Sequence, residues 1–342
     1  MTQRASKLIG MFFALSFLCT HGIAFGQASG QASGQASGQA SGQAWPSKSI
    51  RWIVPYTPAG YTDIVTRRVT QKLADVLGQA IVIENRPGAN SVIGADLVAK
   101  APPDGYTFGT VIAAHAVNAT LNPKMPFDPL KDFTYVSLMS IAPLIMVANP
   151  SLPANNVKEL IAYVKANPGK LNFGSSGVGA AAHLTTEMFK SRVGISMVHV
   201  PYKGTMPALQ DAIGGQIDLM FDVVGPLIPQ VRAGKLKAIV VTAKARMPAA
   251  PEVPTMAESG VPDFVSGTWA GVIAPAGVPK DIVNRISSEI AKILRDPAIR
   301  EDFSKQGYEA IGSSPEEYLA FYRSEVALWA KVIKDSGTKA EE

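Results

Sequence analysis

Two glycine-rich turns are the parts of this chain whose residue types could do chemistry. The first runs from Pro55 to Asp63 and the second from Asn172 to His183, each between an apolar strand pattern and a helix pattern. Backbone N–H groups at the start of a helix are unpaired and lie at the positive end of its dipole, and small residues let a ligand approach them. Each turn is therefore predicted to bind an anion. Two such turns facing one cleft would hold a carboxylate or phosphate without a catalytic side chain.

The second turn also matches the dinucleotide-binding pattern Gly-x-Gly-x-x-Gly/Ala, over residues 177–182. That pattern needs an acidic residue about 20 positions further on, which binds the ribose hydroxyls. The corresponding region, residues 197–203, reads Met-Val-His-Val-Pro-Tyr-Lys and contains no acid. We therefore predict no nucleotide cofactor, and no cofactor of another kind is indicated.

Nucleophilic catalysis would need a histidine within reach of Ser175 or Ser176 and a third group that orients it. The chain contains no Gly-x-Ser-x-Gly motif and no phosphate-binding loop. We expect the two serines to line a pocket or cap a helix, and His183 to pack within its helix. An exported hydrolase remains an alternative.

Histidines are also the candidates for a metal site. His183 and Glu187 share a helical face, and His115 and His199 are the only other histidines after residue 26. No His-Glu-x-x-His motif or cysteine pair accompanies them. We predict no metal site, and core or surface packing accounts for these histidines.

Aromatic residues and one acid stand beside turns and strand ends. Tyr56, Tyr61, Tyr202 and Trp269 would form either the wall of a ligand pocket or a packed domain interface. Asp222 follows a strand, at the sheet edge where α/β proteins bind ligands. It would either bind a ligand hydroxyl, amine or protonated acid, or cap the next segment.

Strand and helix patterns alternate in two similar blocks, which is typical of parallel α/β structure. The first block has strands at Ile50–Val54, Ile81–Ile83 and Thr107–Val111 and helices at Ile64–Leu77, capped by Thr62 or Asp63, and Val92–Lys100. The second block has strands at Leu171–Phe173, Met197–Val200, Ile217–Phe221 and Lys237–Thr242 and helices at Val157–Lys165, Ala180–Arg192, Ala208–Ile213 and Leu227–Val231. Between the blocks the chain passes through two short runs, Thr134–Met139 and Leu144–Ala148, to which no element is assigned.

The last part of the chain has too few strands for a sheet of its own. It contains one strand, Thr268–Ala274, followed by helical segments at Asp281–Leu294, Pro297–Gln306 and Pro315–Lys334. We therefore predict that it returns to the first domain. The predicted domains are residues 45–142 with 266–342, and residues 143–265, joined by two crossings that would act as a hinge.

The N-terminus has the features of a secretory signal peptide, predicted as residues 1–26. Arg4 and Lys7 precede an apolar run that ends at Cys19 and is too short to span a membrane. Four Gln-Ala-Ser-Gly repeats follow, and residues 27–44 are predicted to be a flexible linker with no assigned function. Since Cys19 is the only cysteine, the exported chain would have no disulfide.

The charge of the exported chain is nearly balanced. Without Arg4 and Lys7 there are 30 basic and 27 acidic residues, a net charge of +3. This excess is too small to indicate nucleic-acid binding. An ordinary solvated surface accounts for it, although it would also favour an anionic small molecule.

Many short runs resemble the Bug-type solute receptors of tripartite tricarboxylate transporters, in the same order and over nearly the whole chain after the linker. They are Ile53–Tyr56, Glu84–Ala89, Ile93–Ala95, Pro103–Tyr106, Asn172–Gly177, His183–Leu184, His199–Gly204, Pro254–Glu258, Trp269–Gly271, Ala274–Gly277 and Trp329.

The resemblance implies a receptor rather than an enzyme, with a two-lobed type II periplasmic-binding fold built from two doubly wound α/β domains. It implies that a ligand carboxylate is held between the lobes, partly through water, and delivered to membrane transporter subunits. It places the ligand-binding residues in three sets: Tyr56, Thr57, Gly60 and Asp63 in the first turn; Ser175, Ser176, Gly177 and His183 in the second; and Tyr202, Lys203, Gly204 and Asp222 at the far end of the ligand. A periplasmic sensing subunit that signals to a kinase would use the same fold.

One departure from the family pattern bears on the ligand. Where the family commonly has Pro-Gly-Gly, this chain has Pro58-Ala59-Gly60, followed by Tyr61. The Ala59 methyl restricts positive φ and narrows the approach, and Tyr61 could stack on a ring. We therefore expect a mono- or dicarboxylate, aromatic acids included, rather than a plain tricarboxylate.

Overall fold

Strands and helices alternate along residues 45–340, which are the residues that the computed structural model describes. The predicted signal peptide and linker lie outside them. The first part contains β1 (Ile50–Val54), α1 (Tyr61–Leu77), β2 (Ile81–Asn85), a 3₁₀ turn (Ala89–Ser91), α2 (Val92–Ala99), β3 (Thr107–Val111), α3 (Ala113–Leu121) and β4 (Phe133–Ala148).

The second part of the chain continues the alternation. It contains α4 (Val157–Ala166), β5 (Asn172–Ser175), α5 (Ala181–Val193), β6 (Val198–Pro201), α6 (Thr205–Gly214), β7 (Leu219–Val223), α7 (Val224–Arg232) and β8 (Lys237–Val241). The last part contains β9 (Gly267–Pro275), α8 (Lys280–Arg295), α9 (Pro297–Lys305), β10 (Glu309–Ala310) and α10 (Pro315–Ser336). No helix among residues 45–340 is long and apolar enough to cross a membrane.

Two groups of parallel strands place the glycine-rich turns. In the first group β1 lies between β2 and β3, and in the second β5 lies between β6 and β7, parallel in every case. Helices cover these strands, so β1, β3 and β7 consist almost entirely of buried residues. Since the carboxyl ends of parallel strands meet at one edge of a sheet, the turns after β1 and β5 each open at such an edge.

Strand β4 connects the two groups and runs without a break through both Thr134–Met139 and Leu144–Ala148. It pairs antiparallel with β9 from Phe133 to Pro143, and with β7 and β8 from there on. Pro143, which has no N–H to donate, stands where the partner changes. It lies opposite Gly267, where a Cβ would come 2.6 Å from a backbone oxygen of Ala142. The proline thus changes the pairing without ending the strand.

The C-terminal helix α10 closes the core beside β4 and β9. Tyr318, Tyr322 and Trp329 of this helix are fully buried. The Tyr318 ring fills the space under Gly271, where any Cβ would lie about 2.1 Å from it. Helix α10 also packs on α3 and α5.

Two differences from the predicted elements lie next to the turns. Helix α3, which follows β3 almost directly, was not predicted. Helix α1 begins at Tyr61 with Gly60 as its N-cap, so the prediction of Thr62 or Asp63 as the cap is wrong. Asp63 lies inside the first helical turn and its carboxylate reaches back to the N–H of Ala59.

Candidate functional site

The buried carboxylate of Asp63 holds the first turn through hydrogen bonds. One of its carboxylate oxygens accepts hydrogen bonds from the N–H of Ala59 and from Nε of Arg67, both at 2.9 Å, and the other accepts one from the Asn85 amide at 3.0 Å. Burial opposes the charged form, but these hydrogen bonds outweigh it and lower the pKa of Asp63. Both oxygens thus accept hydrogen bonds within the protein, and one of them holds the N–H of Ala59 in the first turn.

The residues of the first turn above Asp63 are open to solvent. Thr57, Ala59 and Gly60 are exposed, and a Cβ at Gly60 would meet only the Thr57 carbonyl at 3.7 Å. Ala59 has a φ of 63°, in the left-handed region that glycine adopts more easily. The turn therefore keeps the positive φ in spite of the alanine methyl.

Tyr61 packs against the protein at both ends of its side chain. Its hydroxyl lies 2.7 Å from Oγ of Ser140, and its ring meets the edge of Tyr308 with the centroids 4.8 Å apart. Burial, and then the charge of nearby Asp222, raises the pKa of Tyr308 to about 12. Tyr308, which the sequence did not single out, thus packs on Tyr61 of the first turn and lies near Asp222.

The second turn rests on a buried serine. Ser175 has no exposed surface, and its hydroxyl bonds the carbonyl of Gly177 at 3.1 Å and Nε2 of His199 at 2.7 Å. His199 reaches the serine because β5 and β6 pair with Phe173 beside His199. The structure thus brings a histidine to Ser175, but it is His199 rather than His183.

His183 packs against the second turn and holds it in place at Gly179. The N–H of Gly179 donates to Nδ1 of His183 at 3.2 Å, so this nitrogen carries no proton. The His183 ring stacks on His199 with centroids 3.8 Å apart, and His199 stacks in turn on Phe173. Burial first, and then neighbouring positive charge, lowers the pKa of His183 to about 3 and that of His199 to about 4. Two neutral imidazoles therefore support this turn.

The turn between β6 and α6 is tied to the second turn by its backbone. The N–H of Tyr202 donates to the Ser175 carbonyl, and the N–H of Gly204 donates to the Ser176 carbonyl, at 3.0 and 3.2 Å. The Tyr202 hydroxyl donates to Asp211 at 2.7 Å. Lys203 is exposed. Of this set, the structure thus leaves Lys203 as the charged group that projects from the turn.

Asp222 lies at the carboxyl end of β7 and is 7% exposed. One oxygen accepts the Thr205 hydroxyl and the other the N–H of Val223, both at 2.8 Å. Burial raises the pKa of Asp222 to about 6. Since each oxygen of a carboxylate can accept more than one hydrogen bond, capping the next segment leaves Asp222 able to bind a ligand donor as well.

A cavity of about 960 Å³ is lined by none of the residues of the two glycine-rich turns. It is lined by β9, α10, residues 243–248 and Tyr308. Trp269 lines this cavity, and its indole N–H donates to Glu325 at 2.8 Å. Trp269 therefore does not belong with the turns, and no cluster of metal-ligating side chains is found among residues 45–340.

Comparison with known proteins gives one consistent result. The family model described as the tripartite tricarboxylate transporter family receptor matches residues 65–338. The periplasmic binding protein BugD is 35% identical, with a TM-score of 0.78 over 87% of this chain and 100% of BugD. The predicted resemblance and the two-lobed periplasmic-binding fold are both confirmed.

Two similar structures were solved with a ligand. The R. palustris protein Rpa4515, solved with adipate, is 35% identical, with a TM-score of 0.81 over 86% of this chain and 99% of its own. MatC from Rhodopseudomonas palustris, solved with bound malate, is 32% identical, with a TM-score of 0.76 over 84% of this chain and 100% of its own. Both ligands are small dicarboxylates.

Proposed function

Because this chain belongs to the tripartite tricarboxylate transporter receptor family, we propose that it captures a small organic carboxylate between its two lobes in the periplasm and delivers it to the membrane subunits of such a transporter. The observation that carries the proposal is the pair of glycine-rich turns, each at the carboxyl end of a parallel strand and each opening a helix. Backbone donors in this position bind carboxylates without a catalytic group.

The division into lobes is part of the proposal. Residues 45–142 with 266–342 would form one lobe and residues 143–265 the other. The change of partner along β4, from β9 to β7 and β8 at Pro143, supports this boundary. Strands β4 and β9 would then be the two crossings of the hinge, and closure would bring the second turn toward the first.

Adipate and malate in the two relatives favour a dicarboxylate. The exposed first turn supplies donors from one lobe, and the second turn supplies them from the other. In this mechanism the free protein samples open forms, a carboxylate docks on one lobe, and closure adds the donors of the other. The closed form is what the membrane subunits would recognise.

The contact between Ser175 and His199 is the specific observation that favours a hydrolase. A general base of this kind needs a third group that orients it, and the described residues hold no acid hydrogen-bonded to His199. Ser175 is also without exposed surface. We therefore propose that the protein is not an enzyme. Substrate turnover that disappears in a Ser175→Ala variant would contradict this.

Thermal unfolding with a panel of acids tests the receptor proposal. The exported chain, refolded to remove bound ligand, is melted with amino acids, aliphatic di- and tricarboxylates including adipate and malate, and aromatic acids. A ligand at about 100 times its Kd should stabilise the fold by roughly 2.7 kcal/mol. A shift confined to one group of carboxylates supports the proposal and names the substrate class, and a folded protein that responds to none overturns it.

A sensing subunit would bind the same ligand, so the melting experiment does not separate it from a transport receptor. Uptake of the identified acid by cells with and without this chain does separate them. We expect uptake to be lost with the chain and restored with it.

A further inference from the structure

Four consecutive residues between β2 and α2 have positive φ, and we call them the strained segment. They are Gly88 (134°), Ala89 (45°), Asn90 (48°) and Ser91 (78°). Asparagine tolerates this region, but alanine and serine enter it only where the surrounding structure compensates. Such backbone strain is concentrated at functional sites in proteins, which makes this segment a candidate for a functional role.

The hydroxyl of Ser91 has no hydrogen-bond partner among the described residues. The residue is only 2% exposed, and its Oγ atom is buried. Ser91 occupies the N-cap of α2, where a serine ordinarily accepts a backbone N–H, yet its side chain makes no such bond. A buried hydroxyl left without a partner destabilises the fold unless a ligand or water supplies one.

The phenolic hydroxyl of Tyr56 lies near Ser91 and is likewise buried without a hydrogen bond of normal length and angle. Burial raises the pKa of Tyr56, and weak hydrogen-bond interactions of its hydroxyl with the Ser91 hydroxyl and the Ile112 backbone only partly offset this. The phenol therefore keeps its proton at neutral pH. Two neighbouring O–H groups can both donate to one acceptor oxygen, and a carboxylate offers the strongest acceptor of this kind.

The strained segment lies near the second turn through Asn90, and the helix that follows it packs on the start of the first turn. At Gly94, just beyond it, a Cβ would lie 2.8 Å from the side chain of Pro55, where the first turn begins. At Gly179, in the second turn, a Cβ would lie 3.3 Å from the Asn90 amide nitrogen. Two hydrogen bonds between Asn90 and Asn118, at 2.7 and 3.1 Å, hold the segment in place. Asn90 of the segment thus lies beside the second turn, and Ser91 lies near Tyr56 of the first.

We infer that the hydroxyls of Ser91 and Tyr56 form a third subsite, which binds one carboxylate oxygen of the ligand. The inference rests on the proposed function and adds to it a residue that sets specificity. Strain at Ser91 and the missing partner of its hydroxyl then have one explanation, because the ligand supplies the acceptor that the protein lacks.

Two substitutions at Ser91 separate the strain from the hydroxyl. Ser91→Gly removes both, so we expect a higher melting temperature without ligand and a weaker affinity. Ser91→Ala removes the hydroxyl and keeps the strain, so we expect the same loss of affinity without the gain in melting temperature. A hydrogen bond to a charged ligand corresponds to a loss of roughly tenfold or more in affinity. Tyr56→Phe should weaken binding to a similar extent.

Asp263→Gly is the matched control. Asp263 is exposed and also has positive φ, 55°, but it lies after β8 in a loop outside the turns. Its replacement should raise the melting temperature and leave the affinity unchanged. The affinities are measured by titration calorimetry, with the carboxylate of the melting panel that stabilises the unmodified protein most, adipate and malate first.

An unchanged affinity in both Ser91 variants overturns the inference and leaves the proposed function standing. A loss of affinity confined to Ser91→Gly also overturns it, since backbone flexibility and not the hydroxyl would then matter. If the unmodified, folded protein binds no carboxylate of the panel, the proposed function fails and the subsite fails with it.

Discussion

Both glycine-rich turns connect a strand to a helix through small residues, but different kinds of side chain hold them in place. The first is held by an ionised carboxylate, Asp63, whose bonds to Ala59, Arg67 and Asn85 span the start of α1. The second is held by neutral rings, with His183 accepting from Gly179 and His199 bonded to Ser175. A similar anion-binding turn can thus be held by an ionised carboxylate or by stacked neutral rings. We expect the two turns to lose their stabilising contacts at different pH.

Removing the carboxylate under the first turn should have the largest effect. We expect Asp63→Ala to lower the free energy of unfolding by about 3 kcal/mol, because three hydrogen bonds to a buried charge are lost together. Ligand affinity should fall as well, since the N–H of Ala59 is no longer held. Chemical denaturation at pH 7 measures the first effect and calorimetry the second.

Asp75→Ala is the control for this substitution. Asp75 lies on the same helix, is exposed and makes no side-chain hydrogen bond or ion pair within residues 45–340. Its replacement should leave stability and binding near those of the unmodified protein. Equal effects of the two substitutions would show that the carboxylate does not organise the turn.

Acid should affect the second turn before the first. The pKa of His183 in the fold, about 3, is below its ordinary value of 6.5. Stability from the neutral ring is therefore complete above pH 6.5 and is lost as the pH falls from 6.5 toward 3. The pKa of Asp63 is lowered from 3.8, so its contribution is lost only below about pH 3.8.

Replacing His183 should accordingly reduce the acid sensitivity of the fold. Between pH 7.5 and pH 5, the loss of unfolding free energy should be about 2 kcal/mol smaller in His183→Phe than in the unmodified protein. Denaturation curves at the two pH values measure it. His115→Phe is the control, because His115 is buried in the α3 region with a pKa lowered to about 3 by burial. His115→Phe should reduce the acid sensitivity of the fold equally without changing ligand affinity. If the pH dependence of stability is unaltered in His183→Phe, a neutral His183 does not stabilise the second turn.

The positions of both turns could be predicted from sequence because the signals are local. Apolar runs such as Ile50–Val54 mark the strands, and Gly and Ser residues mark the start of the following helices. The side-chain contacts that hold the second turn could not be predicted in the same way. His199 meets Ser175 only through the register of β5 and β6, across 24 positions, and a nearer histidine, His183, was the natural candidate in the sequence.

Other features were missed because their cause lies in tertiary structure. The continuity of β4 depends on an exchange of partner strands at Pro143, whereas a proline within a run of residues argues from the sequence against one central strand. Tyr308 reaches Tyr61 from a loop 247 positions away. The positive φ of Ser91 has no local signal, because serine is not a residue that favours it.

The smallest expected effect concerns the one strained residue of the first turn. Ala59 has positive φ while its N–H is held by Asp63, so Ala59→Gly should keep the hydrogen bond and remove the steric strain. Glycine gains freedom in the unfolded chain, which offsets part of this relief, and we expect a net stabilisation of about 0.5 kcal/mol. The double variant Ala59→Gly, Asp63→Ala sharpens the comparison. If the carboxylate is what holds alanine in this conformation, the gain from glycine will be larger once Asp63 is absent. Equal gains in both backgrounds would mean that the turn has its shape without the charge.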